Sequence, residues 1–435
     1  MKRVLIITYY WPPSGGAGVQ RWLKFVKYLH DFGWEPVVYT PLNPEIPYRD
    51  ETLLSDIPQG TEVIGTRIFE PYMLYNLFTG KQKDTKFQHG FLQNDGTKRP
   101  SFIEKIAVWI RGNLFIPDAR AFWIKPSVRY LIKYLHERPV DLVVSSGPPH
   151  SMHLIAQQLK QQTKLPWIAD FRDPWTGIYY FEKLMPGKWA KRQHDQLEQS
   201  CLDEADHIVT VGSTMKNDFE KRTNTPISVI TNGFDSSDYA LKTDTQPKKF
   251  SIFYSGMFLP DQNPPELWEV LKELVDENPA FEKIFQLHFT GRCDAAILAD
   301  IEKNGLSCYL TMQDYVPHAE LPALQQSAAL LLLSINRIEN ASYILTGKFF
   351  EYLAAERPIL ALCPEQSDVA QIIRETQAGY VVDFNQKVAL KALIEHLFQQ
   401  FEQQRLHLKN TDVKVYSRKE LTKKMAALFD QQVGK

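Results

Sequence analysis

Apolar residues along this chain fall into short unbroken runs separated by amphipathic stretches. Val4 to Ile7 is the first run, and a run without polar interruption suits a strand buried on both faces, as in a parallel sheet. A glycine-rich loop follows, Ser14-Gly15-Gly16-Ala17-Gly18. After it Val19, Leu23, Val26, Tyr28 and Leu29 form a helical pattern closed by Gly33, with glycine as the usual stop. Pro36 to Thr40 reads as a second strand. Strand, helix, strand is how a parallel sheet begins. Further strands are predicted at 142–145, 167–169, 207–211 and 227–230, with a helix at 153–159. Residues 76–125 are rich in aromatic and basic residues and show no clear strand.

The pattern breaks at 236–249, a polar stretch with one proline and few large apolar residues, which reads as a linker. A second series then begins. Strands are predicted at 250–254, 285–289, 330–335, 359–362 and 380–382, and a helix near Leu421 to Phe429 ends the chain and is able to cross back to the first domain. Alternating strands and helices on both sides of a linker predict an α/β protein with two doubly wound sheets.

Length agrees, since 435 residues suit two domains of ordinary size. The formal net charge of -1 gives no global field for nucleic acid, and no basic face stands out. Cys201, Cys293, Cys308 and Cys363 make no C-x-x-C pair and keep no metal-ligand spacing with histidine. Scattered reduced thiols are the plain reading, and neither a signal segment nor a spanning run is evident. The expectation is a cytoplasmic protein, resting on a membrane at most.

Three constellations can carry chemistry. The loop at Gly15 and Gly16 leads from a strand into a helix, where free N–H groups favour anions; a simple tight turn is the plainer alternative. Asp170-Phe171-Arg172-Asp173-Pro174-Trp175 follows a strand, and in open α/β sheets ligands bind at the carboxyl ends of strands. Its bland reading is an Arg–Asp pair bracing the loop. His150, also after a strand, suits an acid/base or acceptor contact, though a lone loop histidine is more often incidental. The third constellation is Thr346-Gly347-Lys348-Phe349-Phe350-Glu351. Thr346 is placed as an N-cap. Lys348 would meet phosphate as a point charge, and Glu351 would accept two hydrogen bonds from a ribose diol. The alternative is an exposed i,i+3 ion pair worth only ~0.2–0.5 kcal/mol.

Together and in this order, 9–16, 170–175, Thr231-Asn232-Gly233-Phe234-Asp235 and 348–355 resemble the GT-B glycosyltransferases, in particular the retaining family 4 group. The likeness spans nearly the whole chain. It implies two Rossmann-like doubly wound domains facing across a cleft: an acceptor domain at 1–235, a linker at 236–249 and a donor domain at 250–414. The segment 415–435 would be free to pack back on the first. It implies that Glu351 holds the ribose of a nucleotide-sugar and that Thr346 and Gly347 offer N–H groups to the diphosphate. Val316, within Asp314-Tyr315-Val316-Pro317-His318, would meet the base, and Gly15 and Gly16 would close over the sugar. Arg292 and Lys348 are expected at the diphosphate, and Asp173, Arg172 and His150 as catalytic residues near the acceptor. Neither metal nor further cofactor is expected.

The chain departs from that family in named places. Tyr343 stands eight residues before Glu351, where the family's other glutamate belongs. Gly256-Met257-Phe258-Leu259-Pro260-Asp261-Gln262-Asn263 lacks the usual Arg/Lys pair, and Arg172 occupies the place where many relatives carry a histidine. A degenerate nucleotide-sugar or glycan binding protein is therefore the second reading. A nicotinamide oxidoreductase is the third, weakened by Arg21 at the third glycine position and by a second strand ending Tyr39-Thr40 with no acidic residue. Finally, Ile103, Ile106, Ile110 and Leu114 form a stripe beside Trp109, Lys105 and Arg111. The stripe reads first as a helix packed on its own domain, second as one lying on anionic membrane beside a glycan or lipid-linked acceptor.

Overall fold

A computed structural model describes residues 1–46, 49–70, 102–239, 247–314, 316–317, 320–408 and 412–434. The chain divides into two compact units, Met1–Thr231 with Lys419–Lys435, and Asn232–Arg418. Asn232 to Asp235, expected at the end of the first domain, thus sort with the second.

The first unit is built on seven parallel strands in the order β3-β2-β1-β4-β5-β6-β7. They are β1 (Lys2–Ile7), β2 (Trp34–Tyr39), β3 (Glu62–Ile64), β4 (Leu142–Gly147), β5 (Trp167–Phe171), β6 (His207–Thr210) and β7 (Ile227–Val229). Strand order reverses between β1 and β4, the switch point at which open α/β sheets bind ligands. β4 is buried along its full length, which is why it shows no alternation. Helix α1 (Ala17–Leu29) seats Val19, Trp22, Leu23, Val26 and Leu29 in the core, and Gly33 ends the segment at φ 82°.

β3 and the strand Leu310–Gln313 of the second unit escape the reading of apolar runs. Both are edge strands and partly exposed, Glu-Val-Ile in one and Leu-Thr-Met-Gln in the other. An edge strand buries less, so it need not be continuously apolar.

Two helices of this unit matter below. α2 (Phe102–Leu114) lies where no strand was expected, and α4 (Ser151–Thr163), which follows α3 (Ile124–Glu137), starts directly after His150. The amino end of α4 is held from a distance: Asp118 accepts from the backbone N–H of Ser151 at 2.9 Å and from its hydroxyl at 2.8 Å.

The second unit repeats the plan with six parallel strands, β10-β9-β8-β11-β12-β13. These are β8 (Phe250–Ser255), β9 (Phe285–Thr290), β10 (Leu310–Gln313), β11 (Leu330–Ser334), β12 (Ile359–Leu362) and β13 (Gly379–Val382). Both sheets are therefore Rossmann-like. The segment Gly347–Ala354 forms a helix whose Phe349, Phe350 and Leu353 are buried. Among the described residues no helix is long and apolar enough to cross a membrane.

Candidate functional site

In the first unit, three loops at the carboxyl ends of β1, β4 and β5 are tied together by Arg172. Its backbone N–H donates to Gly147 O at 2.9 Å, Nη1 donates to Gly18 O at 2.9 Å, and Nη2 donates to Pro148 O. The guanidinium also lies over the Tyr10 ring, 5.7 Å from its centroid. A Cβ on Gly18 would come within 3.1 Å of Tyr10 and 3.3 Å of Arg172, so glycine permits the clamp. Gly15 is buried, whereas Gly16 is exposed at φ 94° and opens onto free space at the start of α1.

Asp170 and Asp173 part ways. The Asp170 carboxylate is fully buried and takes 2.7 Å and 3.1 Å hydrogen bonds from Arg21, 2.8 Å from Trp22 Nε1 and 2.9 Å from Ser146 Oγ. Burial opposes its charge, yet Arg21 and these donors hold it below the usual carboxylate range. Arg21 reaches on to the Ile230 and Thr231 carbonyls at 2.8 Å. Bracing is thus real, but its arginine is Arg21 on α1, not Arg172. Asp173 is only partly covered; burial raises its pKa and Arg172 opposes the shift.

His150 lies flat on Trp175, with centroids 4.6 Å apart and planes at 6°. Its Nδ1 is buried without a partner, and burial, with His153, Arg172 and His194 nearby, pulls it well below the usual histidine range. The ring is therefore neutral near pH 7. Trp175 in turn donates to His194 Nδ1 at 3.0 Å.

In the second unit, the loops after β8 and β9 run side by side. Gly256 N–H donates to Thr290 O at 2.8 Å, Phe258 N–H to Arg292 O at 2.8 Å, and Asp294 N–H to Phe258 O at 3.0 Å. A Cβ on Gly291, at φ 105°, would fall 2.7 Å from Gly256 O, so this crossing needs glycine. Arg292 is carried on it. Toward the same sheet end comes the helix Gly347–Ala354, fixed by Tyr352, whose hydroxyl accepts from Ser255 N–H at 3.1 Å.

The amino end of that helix is open: nothing lies within 4 Å of a Cβ built on Gly347. Thr346 occupies the N-cap position with extended backbone, but it makes no capping hydrogen bond, and its Oγ1 is buried without a partner. Thr290 Oγ1 is likewise buried and unpartnered. An orphan hydroxyl at a helix amino end, as at Thr346, suits an oxyanion acceptor. The Lys348 ammonium sits 3.6 Å from the centroid of the Tyr254 ring. Burial pulls it down to about 7, and Glu351 pulls back. Glu351 and Tyr239 interact electrostatically, and Tyr239 donates to Gln325 Oε1 at 2.7 Å. Val316 is buried; Tyr315 and His318 of its segment lie outside the described residues.

The fold therefore gathers the expected residues into two groups. Gly15, Gly16, His150, Arg172 and Asp173 follow β1, β4 and β5, while Arg292, Thr346, Gly347, Lys348 and Glu351 gather at the carboxyl ends of the second sheet. Sequence reasoning met Arg21 only as the residue at the third glycine position and passed over Tyr239 and Tyr254. An arginine beside a tryptophan at a helical position was the available signal for Arg21; Tyr254 looked like one more strand residue.

The helix at 102–114 packs on its own unit, but not chiefly through the apolar stripe: Ile106 is 42% and Leu114 62% exposed, as is the neighbouring Trp109 at 48%, Ile110 is half-buried, and the Ile103 side chain lies outside the described residues. Gly112 and Asn113 make the packing instead. A Cβ on Gly112 would fall 2.2 Å from Leu184 O, and Asn113 donates to Met185 O at 3.0 Å and accepts from Gly187 N–H at 2.7 Å.

Known proteins give the same picture. The chain superposes on the sucrose-phosphate synthase of Thermosynechococcus elongatus with a TM-score of 0.66 at 13% identity, covering 99% of each chain. It superposes on WaaG, a glycosyltransferase involved in lipopolysaccharide biosynthesis, with a TM-score of 0.54 at 16% identity, covering 99% of this chain and 100% of that one. The trehalose-6-phosphate protein of E. coli bound with UDP-2-fluoro glucose gives 0.57 at 10% identity and 99% of each. At such identities the likeness shows the GT-B fold. No curated protein sequence matches the chain significantly. The family model for Glycosyltransferase Family 4 matches residues 15–238, more than half of the 435. That match takes in both the glycine loop and the clamp that Arg172 makes on it, and it places the chain in glycosyltransferase family 4.

Proposed function

We propose that this protein moves a glycosyl group, with retention and without a metal, from a nucleotide-sugar to a glycan or lipid-linked acceptor in cell-surface polysaccharide synthesis, at the cytoplasmic face of the membrane. The observation that carries the donor site is the open amino end of the Gly347–Ala354 helix, with an unpartnered Thr346 hydroxyl and Lys348 beside it. The leaving nucleoside diphosphate is an anion, and helix N–H groups and cations aimed at developing charge lower the barrier to its departure. Thr346, Gly347, Lys348 and Arg292 serve the diphosphate, Glu351 the ribose and Val316 the base. On the other unit Gly15 and Gly16 serve the sugar, and Asp173 takes the acceptor proton. Arg172 and His150 shape that loop system. WaaG, from lipopolysaccharide biosynthesis, and the E. coli protein bound with UDP-2-fluoro glucose support the acceptor class and the donor class respectively.

Calorimetric titration with UDP, GDP, CDP and ADP tests the donor site. A charge-assisted hydrogen bond contributes roughly 1.5–3 kcal/mol, so Lys348→Ala and Glu351→Ala should each weaken the preferred nucleotide about 10- to 100-fold. Unchanged binding in both variants overturns the assignment. The absence of lysine and arginine from 256–263, with Tyr343 eight residues before Glu351, favours the second reading, a binding protein on the same fold. Nucleotide-sugar binding with neither transfer nor hydrolysis across a broad acceptor panel would select it.

A further inference from the structure

The loop at 256–263 carries no lysine or arginine, yet the strand that feeds it places a cation nearby. Tyr254, next to last in β8, is buried and stacks on Phe258 with centroids 4.0 Å apart and planes at 14°. Its hydroxyl donates to Met257 O at 2.8 Å, with Gln262 Oε1 at 3.1 Å. The opposite end of that glutamine is also fixed, because Ser334 Oγ donates to Gln262 O at 2.6 Å and Gln262 Nε2 donates to Asn336 Oδ1 at 3.2 Å. The ring is thus immobilised by a partner ring and by its own hydroxyl. Lys348 Nζ rests on it, 3.6 Å from the centroid, and a Cβ on Gly256 would meet Nζ at 3.6 Å. Gly256, at φ 96°, leaves the ammonium its place over the backbone.

From this geometry we infer that Tyr254 is a positioning residue: its ring face holds the Lys348 ammonium, charged and in one place, where the donor diphosphate will arrive. The inference rests on the donor site proposed above. An aromatic face attracts a cation through its quadrupole, more strongly when water is excluded. A flexible lysine otherwise spreads its charge over many rotamers. Without the Arg/Lys pair, the phosphate site has Arg292 and Lys348 for cations, and it matters more where this ammonium stands. The titratable groups around the pair are Glu351 on the lysine's own helix, Tyr352 near the phenol, and Cys293 from the loop after β9.

The ring can be weakened without changing its shape. Position 254 is occupied in turn by tyrosine, phenylalanine (Tyr254→Phe), 4-fluorophenylalanine and 4-cyanophenylalanine, which present progressively less negative faces. The reactivity of Lys348 toward trace acetic anhydride is followed across pH by peptide mass spectrometry, without nucleotide. UDP and GDP affinities are then measured at pH 7.5. Tyr254→Phe gives up the hydroxyl's hydrogen bonds and so serves as the reference for the two analogues: the expected result is that the titration midpoint of Lys348 falls from phenylalanine to 4-fluorophenylalanine to 4-cyanophenylalanine, and that nucleotide affinity falls with it. The total loss should be roughly 2- to 30-fold, the span of a cation–π contact. In a Lys348→Met background the series should have no effect on affinity. A flat midpoint, a flat affinity, or an affinity loss that persists in Lys348→Met overturns the inference. Failure of the donor-site reading looks different: Lys348→Ala and Glu351→Ala would leave UDP and GDP binding intact while the reactivity series still moved.

Discussion

Asp170 and Asp173 stand three residues apart at the end of β5, and their surroundings give them opposite duties. Asp170 shares a dry pocket with Arg21, and removing one member of a buried pair leaves the other charge uncompensated. Asp170→Asn should therefore cost about 3–5 kcal/mol in chemical denaturation. Asp173→Asn should leave stability nearly unchanged and nucleotide binding intact while lowering transfer ~10²–10⁴-fold, the range of a lost general base. Full turnover in that variant would remove Asp173 from the chemistry. Lys348 gives the pH dependence. Its free-state value is drawn down to about 7, and the charged form is the one that meets phosphate. Nucleotide affinity should therefore be full below about pH 7, decline as pH rises through it, and be accompanied by proton uptake near pH 8. Lys348→Ala should flatten the profile. The two carboxylates were legible in the sequence as groups at a strand end. Which one braces was not, because the deciding partner, Arg21, lies far away along the chain and shows only as a charge on a helix.

The helix from Phe102 to Leu114 shows why a pattern names an element more easily than its environment. Its apolar stripe was readable, but Ile106 and Leu114 stay exposed while Gly112 and Asn113 make the contacts, and no periodicity marks a glycine as a contact. The exposed Ile106, Trp109 and Leu114 stand beside exposed Met185 and Trp189 on the segment that Asn113 grips. Lys105, Lys183, Lys188 and Arg192 are exposed on the same two segments. Exposed aromatics with these cations nearby suit an anionic bilayer, the contact that the membrane side of the proposed function requires. Co-sedimentation with phosphatidylglycerol vesicles should fall several-fold in a Trp109→Ser, Trp189→Ser double variant and weaken with salt. Equal binding to neutral vesicles, or no change in the variant, would oppose it. Gly112→Ala offers a contrast. It should loosen the helix by a steric clash with Leu184 O, exposing its amides to hydrogen exchange while the tryptophans remain.

At the scale of the molecule, the chain leaves the first unit after Thr231 and returns to it at Lys419. The outgoing and returning segments are hydrogen-bonded to each other: Phe234 N–H donates to Tyr416 O at 3.2 Å and Arg418 N–H to Phe234 O at 2.7 Å. The returning helix, Arg418–Val433, puts Leu421, Met425, Leu428 and Phe429 into the first unit's core, with Phe429 edge-on to Trp34 at 5.2 Å. Burying four such side chains contributes roughly 6–12 kcal/mol at ~1.5–3 each, comparable to the whole stability of a typical domain. Its surface ion pairs, Lys2–Asp430 and Lys419–Asp31, add little by comparison. The amphipathic end of the chain was legible in the sequence; the unit it serves depends on which core has a matching gap, and that is settled only in three dimensions. Phe429→Ala should cost the first unit about 3–5 kcal/mol and leave the second untouched. Fluorescence separates the two, because of the nine tryptophans only Trp268 belongs to the second unit. The fluorescence transition should move to lower denaturant, while hydrogen exchange in peptides from β8, β11 and β12 stays as in the wild type. Parallel loss of protection in both units would mean that they unfold as one body and that the last helix stabilises the molecule as a whole.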